Sequence, residues 1–187
     1  MEHDPALEAH EHAEHAEHAA HENNPFISKV SITVAVLAVM AATAGSLETV
    51  EGGRAITLSS DAVLAQDKAT DAWNEYQSDS LKRHMYEIAA DAGGVHAQDY
   101  KTDIRQQRAE QNKAQTEAEQ AEKDRDLRIQ ESAAHESRHH WLTGAATLIE
   151  IGIALSTMAI ITKRSSFWIG AMGLGAVGMA LFALAYL

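Results

Sequence analysis

Three runs of apolar and small residues, each about 20 residues long and so long enough to cross a bilayer core as a helix, are set in an otherwise strongly polar chain. The pattern places spans at residues 26–48, 141–162 and 167–187. Only the basic link Lys163-Arg164-Ser165-Ser166, residues 163–166, separates the last two, so they should form an antiparallel hairpin. Phe26, Phe167 and Trp168 fall at one set of span ends and Trp141 and Tyr186 at the other, where interfacial aromatics belong. Ala42-Thr43-Ala44 imitates a signal-peptidase site, but the leader before it is long and acidic, so the first span is expected to stay uncleaved.

The polar stretch at 49–140 reads as helical. Gly52-Gly53 should end the first helix, and Ser59-Ser60-Asp61 should cap a second one running to about Ala92. Ala62, Ala65, Ala69, Ala72 and Tyr76 recur three and four apart, and Leu81, Met85, Ile88 and Ala92 resume that spacing. Gly93-Gly94 marks a turn. From Val95 no glycine or proline occurs before Gly144, and Ala97, Tyr100, Ile104, Gln107, Gln111, Ala114, Ala118 and Ala121 keep the same rhythm. A helix continuing from there into the second span would be roughly 100 Å long. Its seam is alanine and glutamine rather than leucine, which suits a close neighbouring helix. The expected fold is therefore all-α: three transmembrane helices, with a long extramembrane helical hairpin or coiled-coil stalk inserted between the first and second.

Small residues also mark the spans. Gly170, Gly173, Gly175 and Gly178 stud the third, and Gly152 with Ser156 the second, as expected where helix backbones approach closely. Three helices form a thin bundle, so some of these faces are expected to meet another subunit. Lys29, Lys163 and Arg164 flank one side of the spans and Arg54, Arg128 and Arg138 the other; long loops count little in the positive-inside rule, so the short Lys-Arg hairpin sets the expectation of a cytoplasmic amino terminus.

Charge and composition narrow the chemistry. A net charge of -12 and the lack of any Lys/Arg stripe exclude nucleic acid as an expected partner. No cysteine is present, which removes disulfides, thiolate metal sites and cysteine nucleophiles. No phosphate loop, dinucleotide fingerprint, His-Glu-x-x-His motif or nucleophile elbow occurs, so no enzymatic activity is expected.

Residues 1–25 form a His/Glu-rich tail in which His10, His12, His15, His18 and His21 alternate with alanine and glutamate. Asp4-Pro5 would start a short helix and Asn23-Asn24-Pro25 would stop it, with each glutamate one turn from a histidine. A three-residue repeat drifts by about 60° per step around an α-helix, so these imidazoles cannot all converge on one ion. Weak Zn or Ni binding is the expected limit, with no dedicated cofactor. His135 and His139, one turn apart near Glu136, are a second and weaker candidate pair.

Glu150 is the one ionisable residue inside the second span. At mid-membrane depth it costs about 2.5 to 3.5 kcal/mol on insertion scales, so it should face protein or water. A hydrogen bond to a neighbouring helix or second copy is one reading; an ion or proton path is the other.

The order of these features resembles a bacterial family of small membrane proteins that carry a domain of unknown function. The resemblance rests on the His/Glu-rich leader, Asn24-Pro25-Phe26-Ile27-Ser28 at the first span, Trp73, Tyr76, Gln77 and Lys82 in the polar helix, and the Leu-Ile-Glu-Ile-Gly-Ile-Ala-Leu and Phe167-Trp168 segments of the final hairpin. It implies a multi-pass protein of the bacterial cytoplasmic membrane; Trp73 and Tyr76, three apart on a helix with Gln77 and Lys82 nearby, read as a packing or partner contact, with a ligand-binding patch as the other reading. Members of that family tend to carry glutamine where this chain has Glu150, which implies a hydrogen-bonding role there.

These readings together describe a non-enzymatic membrane protein that self-assembles or acts as a scaffold or accessory subunit in a lipid membrane. The alternative is ion or metal transport or sensing through Glu150 and the histidine tail. Deleting residues 1–22 is expected to abolish binding of zinc or nickel in titration calorimetry; unchanged binding would move the site to the His135 and His139 pair.

Overall fold

The computed structural model describes residues 24–187, and the histidines from His10 to His21 lie outside the described residues. Three helices follow one another: α1 (Pro25–Asp91), α2 (Ala97–Thr162) and α3 (Ser165–Leu184). No strand occurs among the described residues. Each helix contains a stretch long and apolar enough to cross a membrane, as expected of a membrane protein.

Local chemistry explains where these helices start. Asn24 accepts a hydrogen bond from the Phe26 N–H through Oδ1 at 3.0 Å, with Pro25 at the first helical position, so the chain enters α1 through a standard amino-terminal cap. Gly93 and Gly94 take φ of 77° and 110°, a left-handed backbone that glycine adopts without a Cβ clash, and the chain turns there into α2. Lys163 also has a positive φ, 54°, where α2 ends and the chain turns into α3.

The expected break at Gly52-Gly53 and the new cap at Ser59-Ser60-Asp61 are not formed: α1 runs through both without interruption. The physical reason is local. Ser60 Oγ turns back onto the Ile56 carbonyl at 3.0 Å, which satisfies the hydroxyl inside the helix and leaves it no capping role. Gly52 has a packing function: a Cβ there would stand 3.1 Å from His139 Nδ1, so the missing side chain admits an imidazole from α2. Glycine in a helix interior costs about 1 kcal/mol, too little to break a helix fixed by tertiary contacts.

The described chain divides into two compact units. The first combines residues 24–55 with Ala133–Leu187. Its core joins Val34, Leu37, Ala38 and Ala41 of α1 to Ile149 and Ile153 of α2. Helix α3 lies antiparallel to the end of α2 and approaches it through small residues. A Cβ on Gly152 would meet the Ala171 carbonyl at 3.1 Å, and one on Gly178 would meet Ile149 Cγ1 at 2.7 Å and the Ala145 carbonyl at 3.0 Å. Gly175 is equally close to α1, with Leu37 Cδ2 at 2.6 Å from its would-be Cβ. At the Phe26 end, the Trp168 indole N–H donates to Thr33 Oγ1 at 3.1 Å, and the Phe26 and Trp168 rings meet edge to face at 6.3 Å.

The second unit, Ile56–Ser132, pairs the far part of α1 with the near part of α2 as antiparallel helices. Ala62, Ala69 and Ala72 on one helix and Ala114 and Ala118 on the other are buried, so the seam is built of methyl groups. Side chains this small bring the backbones close but bury little area, roughly 25 cal/mol per Å², so polar contacts across the seam matter more than in a leucine-lined pair.

The glycine contacts separate into two kinds with opposite consequences. Gly178→Leu is expected to destabilise the first unit by about 1–3 kcal/mol through overpacking against Ile149. Gly173→Ala, with nothing within 4 Å of the added methyl, should leave stability unchanged or slightly raised. Thermal unfolding of the two variants in detergent checks this, and equal losses in both would contradict the assigned contacts.

Candidate functional site

The densest group of interacting polar side chains in the first unit lies where the apolar stretches of α1 and α2 give way to charged chain. Glu48 and Glu51 are one turn apart on α1, and His135, Arg138, His139 and Thr143 follow at three- and four-residue spacing on α2. Both sets therefore present one face each.

Glu51 is its centre. Its side chain is only 6% exposed, and a buried carboxylate needs partners. His135 Nδ1 donates to Glu51 Oε2 at 2.5 Å, while Arg138 and Arg54 hold guanidinium nitrogens at 3.9 Å from its two oxygens. One turn away the His139 Nδ1–H donates to the Glu48 backbone carbonyl at 3.2 Å, with its ring against Gly52. Thr143 Oγ1 lies 2.6 Å from Glu48 Oε1 and 2.9 Å from the His139 carbonyl, so its single proton is shared between them. The group is a polar clamp. It binds two helices by charge-assisted hydrogen bonds in a setting sheltered from water, where such bonds are stronger than on a surface.

His135 and His139, the weaker pair of metal candidates, are both turned toward α1. Each imidazole uses Nδ1 to reach α1, and among the described residues no group of three or more His, Cys, Asp or Glu side chains is arranged to hold a metal ion. Glu48, Glu51, Arg138 and Thr143 were not singled out from sequence. The signal available was the coincidence of two acidic residues three apart ending one apolar run with two histidines four apart preceding the next.

Glu150 lies on the exposed side of α2, in line with Thr147, Ile151, Ala154, Met158 and Ile161, which are also exposed. The core-facing side of the same helix carries Ile149, Ile153 and Ser156 instead. Among the glycines, Gly175 and Gly178 are buried in helix contacts, whereas Gly170 and Gly173 lie on the exposed side of α3. Between α1 and α3, Ile32, Val36, Met40, Met172 and Met179 line an apolar groove of about 320 Å³.

In the second unit, the Trp73 indole N–H donates to Glu122 Oε1 across the helix pair at 2.9 Å, and the Trp73 and Tyr76 rings meet edge to face at 5.4 Å. Gln77 is exposed. Lys82 Nζ donates to Asp79 Oδ1 at 2.9 Å. That hydrogen bond and the charge of Asp79 hold the Lys82 ammonium above the usual lysine range, with Glu110 and Glu75 adding to the effect. Its contribution to folding is thus complete below the ordinary lysine pKa and is lost only as pH rises through the raised value.

Breaking the clamp should show directly in stability. His135→Ala strands the Glu51 carboxylate and is expected to cost about 1–3 kcal/mol, whereas Glu51→Gln, which keeps a hydrogen-bonding group, should cost less. Thermal unfolding of both variants in the same detergent checks the order, and a silent His135→Ala would remove the clamp from the account.

A match to a described family covers most of this chain: residues 26–187 fit DUF4337, a domain of unknown function. No curated protein and no solved structure matches it.

Proposed function

We propose, for a chain that belongs to the DUF4337 family, that it is a non-enzymatic integral membrane protein that self-assembles or serves as a scaffold or accessory subunit of a membrane complex. On this reading α3 and the apolar parts of α1 and α2 cross the bacterial cytoplasmic membrane with the amino terminus inside, and residues 49–140 form an extramembrane helical hairpin.

The observation that carries the reading is the row of small residues on the outward sides of α2 and α3. Glu150 lies on that side of α2, where an ionisable group at bilayer depth costs about 2.5 to 3.5 kcal/mol on insertion scales and is eased by hydrogen bonding. Exposed Ala154 on the same face and Gly173 on α3 would let a neighbouring helix come close. Such an interface asks Glu150 to hydrogen-bond, a role that glutamine can fill.

Native mass spectrometry of the untagged protein, extracted gently from its own membrane, is expected to give either a homo-oligomer or a stoichiometric complex with foreign subunits; a monomer alone would overturn the proposal. Glu150→Gln should retain the assembly and Glu150→Leu should lose it. An ion or proton path predicts instead that activity is lost in Glu150→Gln although assembly survives.

A further inference from the structure

The second unit contains a polar layer that its alanine seam does not account for. Asp79 is 2% exposed and Gln111 7% exposed, in a helix pair otherwise buried through alanine. From the buried pair Ala72 and Ala118, one heptad forward on α1 and one heptad back on α2 leads to Asp79 and Gln111, as antiparallel helices of equal rise require. A further turn of four residues on each helix brings Arg83 level with Gln107. The influence of Glu110 on Lys82 agrees with this register.

Three side chains of this layer share one feature: each is tied at one end to its own helix and buried without a partner at the other. Asp79 Oδ1 accepts from Lys82 at 2.9 Å, whereas Oδ2 is buried and unpartnered. The Gln107 Nε2 amide donates to Glu110 Oε2 at 2.8 Å, whereas Oε1 is buried and unpartnered. An Arg83 guanidinium nitrogen, Nη1, lies 3.6 Å from Glu87 Oε1, whereas its Nε–H is buried and unpartnered. Two acceptors and one donor therefore lie within about one helical turn of each other along the helix pair. Leaving each unsatisfied would cost about 1–3 kcal/mol, so a native helix pair held together by methyl groups would not tolerate all three.

We propose that this layer is a binding site for one buried water molecule, which donates to Asp79 Oδ2 and Gln107 Oε1 and accepts from the Arg83 Nε–H. Three polar partners of this kind are the usual complement of a buried structural water. The donor decides the ligand class: a metal cation in the same place would face the Arg83 Nε–H and its guanidinium charge, while water uses both of its hydrogens and a lone pair. The site also gives the helix pair a register. Alanine seams slide with little penalty, since one methyl replaces another, whereas a shift by one turn would carry Gln107 on α2 away from Asp79 and Arg83 on α1 and break the shared site.

The test is a crystal structure of the full chain at a resolution that places waters, together with exchange of the arginine Nε–H signals by NMR. The expected result is one ordered water within hydrogen-bond distance of Asp79 Oδ2, Gln107 Oε1 and Arg83 Nε, and an Arg83 Nε–H that exchanges with solvent at least about tenfold more slowly than that of exposed Arg108. Gln107→Leu should remove most of that protection. An Arg83 side chain bonded directly to Asp79, a cation at the position, or Arg83 exchange as fast as that of Arg108 would each overturn the assignment.

Discussion

Close approach of helix backbones is the constraint on which this structure depends. Both units use small residues where helices meet: Gly152, Gly175 and Gly178 in the first, and Ala62, Ala69, Ala72, Ala114 and Ala118 in the second. In an apolar solvent there is no hydrophobic drive to bring helices together, and what remains is van der Waals contact and interhelical hydrogen bonding, both of which need short distances. The alanine seam of the second unit buries little area, so its paired helices again depend on what polar groups add across them.

That dependence explains where the polar chemistry lies. At the junction between apolar and charged chain, Glu51 is bound by His135 and flanked by Arg54 and Arg138, and the glycine at position 52 lets His139 in. Within the second unit, Trp73 reaches Glu122 and Arg125 reaches Gln66 across the helix pair. Each contact combines a charged or strongly polar group with a partner on the other helix, and each fixes rotation and axial position in a way that methyl contacts do not. Alanine and glycine set the spacing, and the polar pairs set the register.

The contrast between Glu51 and Glu150 shows how context divides two identical side chains. Glu51 points into the protein and meets imidazole and guanidinium groups. Glu150 is only about nine residues beyond the Trp141 that opens the apolar run, yet lies on the outward side of α2 among Ile151, Ala154 and Met158. Exposed Ala154 on that side of α2 and Gly173 on α3 leave room for a neighbouring helix, which is why assembly is the function proposed for the chain.

Much of the architecture was legible in the residues themselves. Runs of apolar residues gave the three membrane-length stretches, glycine chemistry gave the turn at Gly93-Gly94, and three- and four-residue spacing of alanines gave the seam of the second unit. These are properties of local sequence, since length, hydropathy and backbone freedom need no knowledge of a partner. The same local signals misled at Gly52-Gly53 and Ser59-Ser60, where glycine served a tertiary contact and the Ser60 hydroxyl bonded back within the helix. They were also silent on which glycines touch, on the pairing of Glu51 with His135 across more than eighty residues of chain, and on the buried end of Asp79. Those features depend on which faces of α1, α2 and α3 meet and in what register, and a side chain three or four residues from its neighbours carries no record of the helix that will lie against it.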